Sequence, residues 1–169
     1  MTMAKRTQAK LVDAVQEAAG QPLDQSFLLS LVGYNLQRTY LTILPQFDER
    51  MSKLQLRAVD FAVLSLLNAN PNITQKRLSK AVKVSPPNLA VLLDRLETRG
   101  LVVRQRNPLD KRSQTLILTP EGVRLCVKAE KTVTELERKA VSMLDDAERA
   151  ELLGLLQKVF LEAPPPQES

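Results

Sequence analysis

At 169 residues, 44% hydrophobic and with a formal net charge of +5, the chain has the length of one ordinary domain or two small lobes. It holds no histidine and a single cysteine, Cys126, which excludes Ser-His and Cys-His nucleophilic pairs, imidazole metal ligands and an intrachain disulfide. Five scattered glycines form no phosphate loop, and no apolar run reaches the roughly 18 to 20 residues of a membrane span. The expectation is a protein that is not an enzyme, with no cofactor, no metal site and no membrane insertion; its polar opening and lone cysteine suit the cytoplasm.

In chain order, residues 1–25 read as a polar N-terminal arm, broken at Gly20 and Pro22. Asp24 or Ser26 caps a first helix carrying Phe27, Leu28, Leu31, Val32, Leu36, Tyr40, Ile43 and Leu44, which Pro45 is expected to interrupt. A second helix is predicted over about 54–69, ended by Asn70-Pro71-Asn72. Thr74 caps a short third helix with Leu78, Ala81 and Val82 inward and Lys76, Arg77 and Lys80 outward. Ser85 caps a fourth, with Pro86 at its first position, where the missing N–H costs nothing. Leu89, Leu92, Leu93 and Leu96 form its buried stripe; Asn88, Val91, Asp94, Arg95 and Thr98 lie opposite, and Gly100 supplies a left-handed stop.

Two β-prone runs follow, 101–106 and 113–118, around the basic turn Asn107-Pro108-Leu109-Asp110-Lys111-Arg112. Thr119-Pro120-Glu121 opens a long helix to about Leu144, and Asp145 to Glu148 begin a last one. Leu152, Leu153, Leu155, Leu156, Val159, Phe160 and Leu161 make that helix apolar over more than half its circumference, which predicts burial on two sides. The closing Ala-Pro-Pro-Pro-Gln-Glu-Ser is expected to be a disordered tail.

A helix running into a basic hairpin is how a winged helix-turn-helix reaches DNA. From Lys76 to Arg112 ten lysines and arginines face three carboxylates, a net +7, which exceeds the charge of the whole chain. Positive charge confined to one module marks a polyanion-binding surface.

Three segments carry a family resemblance over roughly residues 27–162. They are Leu92-Leu93-Asp94-Arg95-Leu96-Glu97-Thr98-Arg99-Gly100-Leu101-Val102, the turn 107–112 with its Asp-x-Arg pattern, and Leu116-Ile117-Leu118-Thr119-Pro120-Glu121-Gly122. At these spacings the chain resembles the multiple antibiotic resistance regulator (MarR) family of bacterial transcription factors. The fold class is accordingly mainly α with a small β-hairpin: a winged helix-turn-helix lobe plus N- and C-terminal helical dimerisation regions. The divisions are an arm at 1–25, a first dimerisation helix at 26–50, the DNA-binding lobe at 51–119, C-terminal dimerisation helices at 120–162 and a tail at 163–169. The resemblance implies a homodimer with intertwined terminal helices on a pseudo-palindromic duplex operator. It also implies a small effector, commonly a phenolic or other aromatic acid, that releases the DNA; a CoA thioester of such an acid is a second ligand class to try.

The base-edge candidates are Ser85, Pro87, Asn88 and Val91, at the outward N-terminal part of the recognition helix. Asn88 suits adenine, and Pro87 or Val91 a thymine methyl, whereas Ser85 is also a plain helix cap and the prolines also simple helix initiators. The double proline departs from the Ser or Thr frequent here in the family, so the base code does not transfer. Lys111 and Arg112 are the wing candidates for the minor groove, against an ion pair of Arg112 with Asp94 or Asp110. Thr74, Lys76, Arg77, Lys80, Arg95, Arg99, Arg104 and Arg106 are phosphate candidates, against solvated charge. Tyr34, Arg38 and Tyr40 are the groups of the first helix suited to an anionic aromatic effector, against core or dimer packing. Cys126 reads as a buried inert thiol rather than a redox switch. A repressor is the leading function; an activator or anti-silencer of the same fold, or a winged-helix protein–protein module, are the alternatives.

Overall fold

The computed structural model describes residues 23–106 and 114–161. The arm up to residue 22, the wing turn 107–113 with Asp110, Lys111 and Arg112, and the tail after 161 lie outside the described residues. The chain divides into two compact units between Tyr40 and Leu41.

The first unit holds α1 (Ser26–Leu29) and the start of α2 (Val32–Ser52). Asp24 accepts from the Ser26 N–H at 2.9 Å, which opens α1. The Asn35 amide then donates to the Leu29 and Leu31 carbonyls at 2.7 and 2.8 Å, satisfying acceptors at the break between the two helices. A single long first helix was expected here; the chain makes a short turn of helix and restarts. The expected stop at Pro45 is also corrected, because α2 runs through it to Ser52. Proline removes one backbone bond, at about 3 kcal/mol in a helix interior. Packing beyond it outweighs that: Met51 is fully buried, and Phe47 meets Phe61 edge-to-face at 5.9 Å.

The second unit continues with α3 (Ala58–Ala69), β1 (Ile73–Thr74), α4 (Gln75–Val82), α5 (Pro86–Thr98), β2 (Val102–Arg106), β3 (Gln114–Leu118), α6 (Pro120–Ala140) and α7 (Asp146–Leu161). The second helix begins four residues later than expected. Gln55 takes a left-handed φ of 54°, and the Arg57 N–H donates to Asp60 at 2.9 Å, capping a start at Ala58. The three strands form an antiparallel sheet in the order β1-β3-β2, with Val102 opposite Leu118 and Arg106 opposite Gln114. The sequence reading missed β1, which pairs Ile73 with Leu116 and Thr74 with Thr115; two residues carry no periodicity.

Leu89, Leu92, Leu93 and Leu96 are buried as their spacing predicts, against Val63, Leu64, Leu67, Leu78 and Leu116. In α4 Leu78 and Ser79 are buried and Val82 is half-buried against the core, whereas Ala81 is exposed; the Ser79 hydroxyl donates to the Val84 carbonyl at 2.7 Å and so turns in. Gly100 at φ 67° closes α5: its N–H donates to Glu97 O at 2.8 Å and the Leu101 N–H to Leu96 O at 3.0 Å, a Schellman stop.

Helix α6 ends at Ala140, a turn before the expected Leu144. In α7 the Asp145 carboxylate accepts from the Ala147 and Glu148 N–H groups at 2.8 and 2.9 Å, as the sequence suggested. Its expected burial on two sides is not found in the single protomer. No α7 residue is buried, and Val159, Phe160 and Leu161 are 59%, 59% and 72% exposed.

Candidate nucleic-acid interface

Helices α4 and α5 are joined by Lys83-Val84-Ser85, with Lys83 left-handed at φ 52°. Thr74 caps α4 by accepting from the Arg77 N–H at 3.4 Å, so its hydroxyl already has a structural partner. Ser85 occupies the N-cap of α5, and its carbonyl accepts from Leu89 at 2.9 Å, yet its side chain makes no cap bond. Pro86 and Pro87 fill the first two helical positions and offer no N–H, so of the usual cap donors only the Asn88 N–H remains. The Ser85 hydroxyl is left exposed beside Pro86, Pro87 and Asn88, and Val91, one turn on, is 70% exposed.

The seven cations among the phosphate candidates separate into two groups. Lys76, Arg77, Lys80 and Arg106 are exposed and have no ion-pair partner among the described residues. Lys83, counted in the charge but not singled out in the sequence, joins them at the exposed turn of the helix pair. Arg95, Arg99 and Arg104 are engaged within the fold. Arg95 pairs with Asp60, whose carboxylate is completely buried and also caps α3. Arg99 donates to the Gln55 and Leu54 carbonyls at 2.6 and 3.3 Å. Arg104 bridges Glu97 and Asp94, the latter at 2.7 Å, while its backbone N–H donates to Glu97 at 3.1 Å. The Asp94 partner is thus Arg104 of β2. Glu97 and Asp94 together tie the first wing strand to the recognition helix.

Magnitudes decide what Arg95 can do. Stripping the partner from a buried carboxylate costs about 3 to 5 kcal/mol. A good bidentate base contact is worth about 1 to 3 kcal/mol. Arg95 therefore stays with Asp60.

A second junction holds the wing to α6. The Thr119 hydroxyl accepts from the Gly122 N–H at 3.0 Å and donates to the Gly100 carbonyl at 2.6 Å, and the Thr119 N–H donates to Leu101 O at 3.0 Å. Gly122 is buried against the Leu101 carbonyl, and a β-carbon there would lie 3.0 Å from the Leu101 carbonyl carbon and closer still to its oxygen.

Two open clefts of about 470 Å³ lie in the second unit. One is bounded by Arg57, Val59 and Val84 and by Asn88, Val91 and Arg95 of α5; the other lies between α2 and α6, where Glu49, Arg50 and Lys53 face Lys128, Thr132 and Glu135. Neither includes the effector candidates, all of which sit in the first unit. Tyr34 and Arg38 are one helical turn apart on α2, whereas Tyr40 follows Arg38 by two positions and points away from that face. The Tyr34 hydroxyl donates to Gln25 at 3.2 Å.

Cys126 is buried where α6 meets α3. Burial, and then the neighbouring Glu130 carboxylate, push its thiol up to about 11 from 9.0. The thiol donates to Glu130 at 3.4 Å, and Ser65 donates to the same oxygen at 2.9 Å. A protonated, enclosed sulfur is a poor nucleophile. Alkylation by iodoacetamide at pH 8 is expected to be negligible in native protein and complete in denatured protein; fast native labelling would refute this environment. The unfolded thiol ionises first as pH rises, so stability should fall between about pH 9 and 11 in the wild type and not in Cys126→Ala.

The MarR family's sequence model matches residues 56–114, the span from just before α3 to the first residue of β3. The multiple antibiotic resistance protein MarR of Escherichia coli K12 is 34% identical over 114 residues, covering 67% of this chain and 79% of the relative. The chain belongs to the MarR family. The fold agrees: the transcriptional repressor CouR bound to a 23-mer DNA duplex superposes with a TM-score of 0.74 at 36% identity, covering 82% of this chain and 99% of that one. CouR bound to p-coumaroyl-CoA gives a TM-score of 0.68 at 34% identity, with 82% and 97% covered. This MarR-family chain is a transcriptional regulator built on a winged helix-turn-helix. No helix among the described residues is long and apolar enough to cross a membrane.

Proposed function

We propose that this protein is a ligand-responsive repressor that binds a pseudo-palindromic duplex operator as a homodimer and is released by an aromatic acid or its CoA thioester. The observation that carries the DNA reading is the set of exposed cations Lys76, Arg77, Lys80 and Lys83, which have no ion-pair partner among the described residues, beside the exposed start of α5. Lys111 and Arg112 of the wing complete the contact in the minor groove. The dimer reading rests on apolar surface that a lone protomer leaves in water: Val159, Phe160 and Leu161 on α7, and separately Phe27 and Val32 in the first unit. The ligand class is supported by the p-coumaroyl-CoA complex of CouR. Tyr34 and Arg38 are the effector residues this reading favours, with Tyr40 outside their face.

A gel shift on the DNA upstream of the gene, repeated over a salt series, tests this. If four cations per protomer contact phosphate, log affinity against log salt should fall with a slope of roughly −7 for the dimer. Lys76→Ala with Lys80→Ala should flatten it by about 3 to 4, while Arg104→Gln should leave it unchanged. A salt-independent affinity would refute the electrostatic footprint. Release by p-coumarate or p-coumaroyl-CoA, lost in Arg38→Ala with DNA affinity kept, would identify the effector class.

A further inference from the structure

We infer that the recognition helix reads A·T pairs through thymine methyl groups and one adenine-directed amide, and that it makes no guanine contact; this rests on the DNA-binding reading above. Major-groove guanine is read by Arg or Lys through its O6 and N7, adenine by Asn or Gln, and thymine by apolar contact with its C5-methyl. The reading face of α5 can be sorted by those rules.

Arg95 is the only cation between Pro86 and Thr98, and it is held by the buried Asp60 carboxylate, a partner it cannot leave for the smaller return of a base contact. Arg99, next along, is committed to the Leu54 and Gln55 carbonyls. The face therefore presents no arginine or lysine free to read guanine. What it does present at its N-terminal end is Pro87, Asn88 and Val91, with the uncapped Ser85 hydroxyl beside them. Val91 is the most exposed apolar side chain of α5, on a helix whose other large apolar residues are buried. Val91 lines an open cleft with Val59, Val84 and Asn88, and in the major groove the apolar group it would meet is a thymine methyl. Asn88 supplies the paired donor and acceptor that match adenine N7 and N6. The prolines act in the same direction, since without N–H groups at the first two helical positions the helix start has fewer backbone donors to offer a phosphate.

The test uses the full-length protein and a duplex selected by it from a random-sequence library, with each half-site thymine then replaced singly by deoxyuridine, which deletes only the methyl. At the thymines under α5, affinity should drop about fourfold per methyl, the worth of one buried CH₂-sized group. In Val91→Ala one of those positions should lose its sensitivity, and Asn88→Ala should relax the preference for one adenine. Both residues are exposed, so unchanged melting temperatures will show that the fold is intact. Uniform indifference to uracil, or a strong loss on replacing a half-site guanine by 7-deazaguanine in the major groove under α5, overturns the inference while leaving the DNA-binding reading in place. Recovery of no duplex from the library overturns both.

Discussion

Gly122→Ala should lower stability by about 3 kcal/mol, at the upper end of what an overpacked site costs. For a chain of this length that is a fall in melting temperature of roughly 6 to 12 °C at fixed protein concentration. The added methyl group would run into the Leu101 carbonyl, which cannot swing aside as a side-chain end can. That carbonyl is already the acceptor for the Thr119 N–H, and Thr119 in turn joins Gly100 to Gly122. Relieving the clash means moving the start of α6 away from the Schellman stop of α5, and with it a point where recognition helix, wing and long helix meet. The variant should therefore also bind DNA less well at temperatures below its midpoint. Thermal unfolding followed by circular dichroism checks the first claim and a gel shift at 10 °C the second; a melting temperature within 2 °C of the wild type would show that the junction yields easily. Thr119→Val, which keeps the backbone contact and removes both hydroxyl bonds, should cost less, about 1 to 3 kcal/mol.

The same junction shows what a sequence displays and what it conceals. Gly100 and Gly122 stand out in the sequence as fixed points of a motif, but their reasons differ: Gly100 is required by a positive φ, Gly122 by the closeness of another backbone. The first is a local property that follows from a helix ending; the second needs two elements placed in space. The leucine stripe of α5 was legible for the local reason, since spacing alone sets which face is buried. Pro45 misled because a local rule met a tertiary one, the anchoring of Phe47 and Met51. The last helix misled differently: its apolar content was read as demanding burial on two sides, which a single protomer does not supply.

The candidate site divides along the same line. That the module is basic follows from counting charges. Which cations are available to DNA does not, because Asp60, Glu97 and the Leu54 and Gln55 carbonyls are brought to their arginines only by folding. Asp60 lies 35 positions from Arg95. Its role in capping α3 was hidden too, since the sequence reading began that helix before it. Three of the eight phosphate candidates, Arg95, Arg99 and Arg104, thus carry a charge that also has partners within the fold.

Arg95→Met should destabilise by about 3 kcal/mol, the lower end of the range for breaking a buried pair, because the guanidinium end reaches water while the Asp60 carboxylate does not. Asp60→Asn should cost less, since an amide oxygen still accepts from the Arg57 N–H and a partly exposed arginine can turn to solvent. The two should not add: in Asp60→Asn/Arg95→Met no charge is left enclosed, and most of the loss should return, giving a coupling energy of about 1 to 3 kcal/mol in a double-mutant cycle measured by urea unfolding. Additive losses would mean that the pair contributes nothing as a pair. The double variant also isolates function from folding. If Arg95 serves the fold alone, the refolded double variant should show the wild-type salt slope on operator DNA. If it grips a phosphate in each protomer, the slope should flatten by about 2. The charge that the sequence assigns to the interface and the charge that reaches it would then be measured separately, at a residue where the two readings predict different lines.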